Sequence, residues 1–412
     1  MSKPIHIWLA IIVAALGYFV DVFDLILFSV VRRKSLEDIG FTTAEQIENA
    51  GYLLINLQML GMLIGGIIWG MLGDKRGRLS VLFGSILLYS LANIANGFAN
   101  DLTTYGVVRF IAGLGLAGEL GAGVTLVSEL MSKEKRGYGT MIIATVGVSG
   151  AVAATYMAEA FSWRTCYFIG GGLGLMLLGL RFTVHESGLF KGLSTENVAR
   201  GSFRLMFSNW KRANKYLSCV LMGMPTWFVV GLLVSFLPEF GAAMGMPLDD
   251  AGKVIGLDAG TALRYCYIGL TIGDFVSGAI SQLLRSRKTV LLIFFLLTGI
   301  FMTMYLIQRN PSPIMMYWIC GLLGFGVGFW AILVTVASES FGTNLRALSA
   351  TTVPNFARGA LVPLTAIYLS MKPGLGSLDA AAIVGSFALL CAFIGLYNLP
   401  ETYGKELNYT EK

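Results

Sequence analysis

Charged side chains are scarce in this chain of 412 residues: Asp, Glu, Lys and Arg together make up 13% of it. Soluble globular domains carry about a quarter of charged residues. Hydrophobic residues make up 55% of the chain, so a soluble fold is excluded. The net charge of +6 does not indicate nucleic-acid binding, because the cations gather in short stretches between apolar runs, which is typical of membrane topology.

Histidine and cysteine are also rare. The chain has two histidines, His6 and His185, and five cysteines scattered mostly through apolar runs. No group of these residues has the spacing of a metal site, so we expect neither a metal nor a cofactor, and we interpret the cysteines as small apolar packing residues. The sequence also shows no nucleophile with a base and no phosphate loop, so an enzyme is not predicted.

Twelve apolar runs are present, each near the ~20 residues that a helix needs to cross a hydrocarbon core. They lie at 8–31, 50–72, 79–99, 103–127, 138–160, 165–184, 214–238, 261–283, 289–308, 313–337, 347–371 and 379–400. The even number predicts both termini on one side, and the positions of most lysines and arginines predict that this side is the cytoplasm. Arg32, Arg33 and Lys34 depart from this pattern, since they fall on the outer side.

The turn between the second and third runs reads Gly70-Met-Leu-Gly-Asp74-Lys-Arg76-Gly77-Arg78. Its cations cannot lie in lipid, so the two helices must turn back there. The stretch resembles the cytoplasmic loop motif of the major facilitator superfamily. Glu129 with Arg136 resembles a second loop motif of its sugar and organic-acid branch. The resemblance implies twelve transmembrane helices in two pseudo-symmetric six-helix bundles, an all-α membrane protein.

An internal repeat supports two halves. Ser128-Glu129 with Arg136 recurs 210 residues later as Ser338-Glu339 with Arg346. Related six-helix halves are a known transporter arrangement, with the substrate site between them near the bilayer midplane. We predict an N-terminal bundle over 1–184, a cytoplasmic linker over 185–213 and a C-terminal bundle over 214–412.

Ionisable side chains at mid-depth in a membrane are costly, so they are expected to face a cavity and to have partners. The sequence places six there: Asp21, Asp24, Arg109, Glu119, Asp274 and Arg358. Asp21 and Asp24 share a face of the first helix, and Arg109 reaches a similar depth. In related proton symporters, an acid on helix 1 opposite an arginine on helix 4 is the proton site, so the resemblance implies this role here. The alternative is a static ion pair between the helices. Glu119 is a second titrating group, a ligand for a cationic solute or a structural acceptor.

In the second half, Arg358 follows Pro354 and Asn355 near mid-depth. Arginine suits the bidentate capture of a carboxylate, so we predict an anion-binding arginine that faces the cavity. The alternative is that Asp274 is its permanent partner and neutralises it. Further contacts to the substrate are expected from aromatic side chains at Tyr18 and Trp330, from amides at Asn56, Gln58 and Asn355, and from Asp274.

The resemblance also implies that the turn at 70–78 braces helices 2 and 11 through Asp74 and arginine contacts when the molecule is open outward. Residues assigned to this conformational gating come from both loop motifs and their repeats: Gly70, Asp74, Arg76, Gly77, Arg78, Glu129, Arg136, Glu339 and Arg346.

Together these features predict proton-coupled symport of a small organic anion by alternating access, with Arg358 holding the anion and Asp21, Asp24 or Glu119 carrying the proton. The alternatives are a sugar, polyol or cationic solute, export of a metabolite such as a siderophore, and a membrane sensor without transport. Expected partners are the small-molecule substrate, protons and membrane lipid, and the expected form is a monomer in the inner membrane.

Overall fold

The computed structural model describes residues 4–132, 135–180, 201–249, 254–406 and 408–411, except for the side chains of residues 4–7, 9, 10, 78 and 79. Over these ranges the chain is helical, and its one β-bridge is the isolated contact of Leu248 with Val254. The helices of the first half are α1 (Pro4–Asp38), α2 (Ala44–Arg76), α3 (Arg78–Asn96), α4 (Leu102–Leu116), α5 (Glu119–Leu130), α6 (Arg136–Ala160) and α7 (Trp163–Leu180).

The second half begins with a short helix, α8 (Phe203–Phe207). It continues with α9 (Trp210–Trp227), a π-helical segment (Phe228–Val234), α10 (Leu237–Ala243), α11 (Ala259–Leu283), α12 (Arg287–Leu306), α13 (Pro313–Gly326), α14 (Trp330–Ser340), α15 (Arg346–Gly359), α16 (Leu361–Leu375) and α17 (Ser377–Asn398). Most of the predicted linker, residues 185–200, lies outside the described residues.

Eight of the described segments are long and apolar enough to cross a membrane. Several predicted runs are broken helices: α4 gives way to α5 at Ala117 and Gly118, and α13 to α14 at Val327–Phe329. The π-helical segment follows Pro225, which has no backbone N–H to donate within α9. Broken helices at membrane depth are tolerated where they are buried in protein, and these segments are buried.

Polar residues in the turns fix where several helices begin. Thr43, Asp101 and Asp258 are N-cap residues of α2, α4 and α11, and each side chain accepts a hydrogen bond from the N–H three residues later. Ser286 and Ser312 cap α12 and α13 in the same way. These short side chains satisfy N–H groups that would otherwise have no partner, so the turns define the ends of the helices.

The helices form two groups that meet along two seams. In the first half α1 packs against α6 and α2 against α4, and in the second half α9 packs against α17 and α11 against α13. The two halves touch where α2 lies along α15 and where α6 lies along α11. Helices α2, α6, α11 and α15 therefore carry most of the contact between the halves.

Candidate functional site

We call the face that carries the turn 70–78 the inner face, and the opposite one the outer face. On the inner side α2 lies against α15 through glycines. A Cβ on Gly66 would lie 2.9 Å from the Cβ of Asn355, and one on Gly70 would lie 3.0 Å from Leu348 Cδ1. Larger side chains at these positions would push the helices apart, so the two halves touch closely here.

Asp74 closes this seam at the end of α2. Its carboxylate accepts hydrogen bonds from the backbone N–H of Ala347 (3.1 Å) and Leu348 (2.9 Å), in the first turn of α15. A helix N-terminus presents free N–H groups and the positive end of its dipole, so an anion is stabilised there. Gly77, with φ +98°, turns the chain from α2 into α3. Arg76 is exposed, and the side chain of Arg78 lies outside the described part.

The two loop motifs exchange partners between the halves. Arg346 Nη1 lies 3.2 Å from Glu129 Oε1, and Arg136 Nε lies 3.6 Å from Glu339 Oε1. All four side chains are buried. Each arginine thus pairs with the acid of the opposite repeat, and breaking either pair would leave a buried charge without its partner.

Glu339 is the centre of a larger inner network. Arg287 Nη2 lies 3.5 Å from Glu339 Oε1, and Thr402 Oγ1 donates to Glu339 Oε2 at 2.9 Å. The neighbouring Glu401 accepts hydrogen bonds from Ser286 Oγ (2.6 Å) and the Arg287 N–H. Partial burial opposes ionisation of Glu401, but these hydrogen bonds outweigh it and hold its pKa below the usual value. The segment after α17 is therefore fastened to the start of α12.

A small central cavity of about 20 Å³ lies between the halves, beside Arg358. The guanidinium of Arg358 lies 5.5 Å from the ring centres of both Trp227 and Trp330. It donates to Asn355 Oδ1 at 3.1 Å and to Tyr18 OH at 3.5 Å. The cavity is lined by Tyr18, Val22, Leu25, Val148, Thr226, Trp227, Val230, Tyr267, Leu270, Trp330 and Arg358.

Asp274 does not neutralise Arg358, so that alternative from the sequence is wrong. Its Oδ1 accepts a hydrogen bond from the Ala331 N–H at 3.1 Å, at the start of α14. The break between α13 and α14 creates a helix N-terminus inside the membrane, and the carboxylate is stabilised there instead of by a cation. Among the described residues, Arg358 has no carboxylate partner, and its Nε has no hydrogen-bond acceptor.

Asp24 and Arg109 lie inside the first bundle. A Cβ on Gly170 of α7 would lie 2.2 Å from Asp24 Oδ1, which places the carboxylate between α1 and α7. Arg109 interacts with Asp24 electrostatically and donates to Tyr167 OH at 3.4 Å. Tyr167 OH is 2.8 Å from Tyr105 OH. The side-chain amide of Asn93, on α3, also interacts with the Asp24 carboxylate.

The sequence predicted that Asp21, Asp24 and Glu119 share one chamber with Arg358, but none of them lines the cavity around Arg358. Tyr18, Val22 and Leu25 form the cavity face of α1, so Asp24 points to another side of the helix. Glu119 is buried in the first turn of α5.

The predicted amide contacts are also placed differently from the expectation. Gln58 Nε2 donates to the Leu25 carbonyl at 3.3 Å, which joins α2 to α1, and Asn56 does not line the cavity. Asn355 donates to the carbonyls of Ala117 and Thr351 and accepts from Arg358. It therefore orients the arginine and bridges the halves.

Comparison with known proteins identifies this architecture. The profile of the Major Facilitator Superfamily matches residues 7–366. The chain belongs to the major facilitator superfamily. This confirms the predicted family and its twelve-helix fold, and members of the superfamily are transporters, not enzymes.

Among the similar proteins is the sialic acid transporter NanX of Escherichia coli (strain K12), 25% identical over 95% of this chain and 94% of the relative. Another is the cis,cis-muconate transport protein of Acinetobacter baylyi, 25% identical over 98% of this chain and 96% of the relative. The solved structure of the proton:xylose symporter XylE bound to 6-bromo-6-deoxy-D-glucose matches with a TM-score of 0.74 and 16% identity, over 98% of each chain. That likeness shows the fold alone.

This major facilitator is also closed on its outer face, by residues to which the sequence analysis assigned no role in gating. Arg32 Nη2 lies 2.8 Å from Glu239 Oε1, and its guanidinium lies 3.9 Å from the ring centre of Phe236. Lys372 Nζ lies 2.5 Å from Glu48 Oε1, and Arg264 pairs with Glu159. All three pairs join one half to the other.

The outer pairs explain one of the three cations that departed from the charge pattern, Arg32. Helix α1 continues to Asp38, beyond the predicted end at 31, and carries Arg32 to the outer seam, whereas Arg33 pairs with Glu37 on the same helix. Lys34 Nζ donates to the Ala158 carbonyl of α6 at 3.2 Å. The sequence did contain a signal for an outer contact, because these cations fall on the outer side against the general charge pattern. With both faces bridged, the cavity at Arg358 is occluded.

Replacing Asp74 with Asn tests the inner seam. The amide keeps one acceptor but loses the charge at the α15 N-terminus, which costs about 1–2 kcal/mol. We expect the backbone amides of Ala347 and Leu348 to exchange with deuterium roughly tenfold faster, measured by hydrogen exchange with mass spectrometry. Asp101→Asn is the matched control, because Asp101 caps α4 within its own half. Equal exchange at α15 in Asp74→Asn and the parent would contradict this role.

A double-mutant cycle tests the outer seam. Arg32→Gln, Glu239→Gln and the double variant should give a coupling of about 1–2 kcal/mol in the free energy of unfolding, because the Arg32 side chain is only 4% exposed. The control cycle uses Arg33 and Glu37, an exposed pair one turn apart on α1. That pair should couple by about 0.3–0.5 kcal/mol. If the coupling energy of the Arg32–Glu239 pair is no larger than that of the control pair, this pair does not hold the two halves together on the outer face.

Proposed function

We propose that this major facilitator is a proton-coupled symporter of a small organic carboxylate, which it moves by alternating access. The observation that carries the proposal is Arg358, a buried cation beside a central cavity without a carboxylate partner among the described residues. An uncompensated charge in a low-dielectric interior is costly, so a cation kept there favours an anionic ligand.

The surroundings of Arg358 fit a carboxylate better than a cation or a simple apolar solute. Arg358 Nε, Trp227 Nε1 and Thr226 Oγ1 are buried hydrogen-bond donors with no partner among the described residues. All three residues line the cavity. A planar guanidinium binds the two oxygens of a carboxylate side by side, and additional donors can bind a further polar group of the solute. Buried acids would be needed here for a cationic solute, and none lines this cavity.

The relatives agree with an anionic solute. Two of them are named for the transport of an acid, sialic acid in one case and cis,cis-muconate in the other. Their identity to this chain is 25% in both cases, which supports the class of solute and not its identity.

The proton part of the proposal rests on Asp24 and Arg109. A carboxylate that gains a proton loses its attraction for a guanidinium, so protonation of Asp24 would free Arg109 to move. Tyr167 and Tyr105 extend from Arg109 as a chain of hydroxyl groups that ends at Ser35 Oγ, which Tyr105 approaches at 3.3 Å. This chain leads towards the outer end of α1. Asp21 and Glu119 remain the other acids proposed for this role.

We place the molecule as a monomer in the inner membrane with both termini in the cytoplasm, because most cations of the turns lie on the inner face. In this orientation the inner seam at Asp74 is the cytoplasmic gate and the pairs around Arg32 form the external gate. The proposed division is a first bundle over 1–184, a linker over 185–213 and a second bundle over 214–412.

Arg358→Lys tests the anion site. A panel of small carboxylates is first screened for thermal stabilisation of the purified protein, since binding to the folded state raises the melting temperature. The best acid is then used, labelled, for uptake into proteoliposomes. Lysine keeps the charge but lacks the planar guanidinium that binds both oxygens of a carboxylate, so uptake should fall at least tenfold. Arg309→Lys, on an exposed outer turn, should leave uptake unchanged. Normal uptake by Arg358→Lys would contradict the assignment.

Asp24→Asn tests the coupling to protons. The variant cannot bind and release a proton at this position, so accumulation driven by an inward proton gradient should be lost. Exchange of external labelled acid for internal unlabelled acid needs no net proton movement and should persist. Asp379→Asn, an exposed acid in the first turn of α17, is the control. Gradient-driven accumulation by Asp24→Asn would exclude Asp24 as the proton carrier.

A further inference from the structure

A second polar cavity lies on the inner face, away from the central one. It has a volume of about 540 Å³ and lies between the start of α9, the end of α17 and the C-terminal tail. Its lining includes Lys211, Arg212, Lys215 and Lys405 with a single acid, Glu411. We propose that this cavity binds the phosphate headgroup of an anionic membrane phospholipid.

Among the described residues that line the cavity, four cations accompany one acid. Glu411 serves two cations at once: Lys215 Nζ lies 3.3 Å from its Oε1, and Arg212 Nη1 lies 3.9 Å from its Oε2. Lys211 and Lys405 have no carboxylate within salt-bridge distance in the described chain. Within the described ranges, Lys405 Nζ donates a hydrogen bond to Tyr409 OH, at 3.1 Å. The cavity therefore keeps an excess of positive charge that an anion would neutralise.

The excess of positive charge also affects the pKa of Lys405. Partial burial, followed by the repulsion of Lys215, lowers the pKa of Lys405 below its usual value. A bound phosphate would oppose both effects, because it offers negative oxygens to the ammonium group. Asn214 and Asn398 line the same cavity, and their amides can donate to the remaining phosphate oxygens.

Two aromatic residues place the cavity at the membrane surface. Trp210, which precedes Lys211, is 77% exposed, and Tyr397, which precedes Asn398, is 86% exposed. Tryptophan and tyrosine with exposed rings are typical of the headgroup level of a bilayer. Each of these rings adjoins a residue of the cavity lining, Lys211 or Asn398, so the phosphate that we assign to the cavity is that of a lipid and not that of a solute of the aqueous phase. Each basic side chain near such a surface contributes to the attraction of anionic lipid.

The test is native mass spectrometry of the full chain in detergent, with dioleoyl phosphatidylglycerol or dioleoyl phosphatidylcholine added. Wild type should retain one phosphatidylglycerol at collision energies that remove phosphatidylcholine. Lys211→Gln/Lys405→Gln should bind phosphatidylglycerol roughly tenfold more weakly. Lys75→Gln/Arg204→Gln, which removes two exposed inner-face cations outside the cavity, should bind like wild type.

Three results would overturn the proposal: equal retention of the two lipids by wild type, unchanged binding by the cavity variant, or equal weakening by both double variants. Displacement of phosphatidylglycerol by millimolar glycerol phosphate would assign the cavity to a soluble phosphate instead. Circular dichroism and the melting temperature check that the cavity variant is folded. If the double variant is not folded, the single variant Lys405→Gln is used instead and should bind phosphatidylglycerol several-fold more weakly than wild type.

Discussion

The cost of burying a charge away from water governs this structure. Ionised side chains lose hydration inside a membrane protein and must recover the energy from partners. Here many of the partners lie in the other half of the chain: Glu129 binds Arg346, Glu339 binds Arg136, and Asp74 binds the first turn of α15. The pairs that neutralise these charges are therefore also the contacts that hold the two halves together.

The same constraint explains how the molecule can change shape. Contacts join the two halves on both faces. On the inner face they are those of Asp74 and the exchanged Glu–Arg pairs, and on the outer face Arg32 pairs with Glu239. Opening one face breaks its pairs and exposes the charges to water, where their hydration offsets the loss. Opening both at once would forfeit both sets of contacts. The lone guanidinium of Arg358 lies between the two gates, where an anion can complete its coordination.

The sequence predicted much of this arrangement, because local rules decide it. Runs of about 20 apolar residues indicate spans, and the repeat indicates two halves. The sequence placed Arg358 near mid-depth, and in the structure its side chain lines the central cavity. Partners across the seam could not be predicted: Arg32 and Glu239 are separated by 207 positions, and only the packing of α1 against the second half brings them together. The alternative that paired Asp274 with Arg358 was wrong because it overlooked the break before α14. Gly324, Gly326 and Gly328 signal this break, which creates the helix N-terminus beside Asp274.

The most direct test of the account compares a small carboxylate with its neutral amide of the same shape, benzoate with benzamide, for binding to the purified protein. Trp227 and Trp330 flank the cavity, so quenching of tryptophan fluorescence can report binding. If Arg358, which has no carboxylate partner among the described residues, binds the anion, the acid should bind at least tenfold more tightly than the amide. Arg358→Gln should remove this difference. Equal affinity for acid and amide in the parent protein would contradict the account.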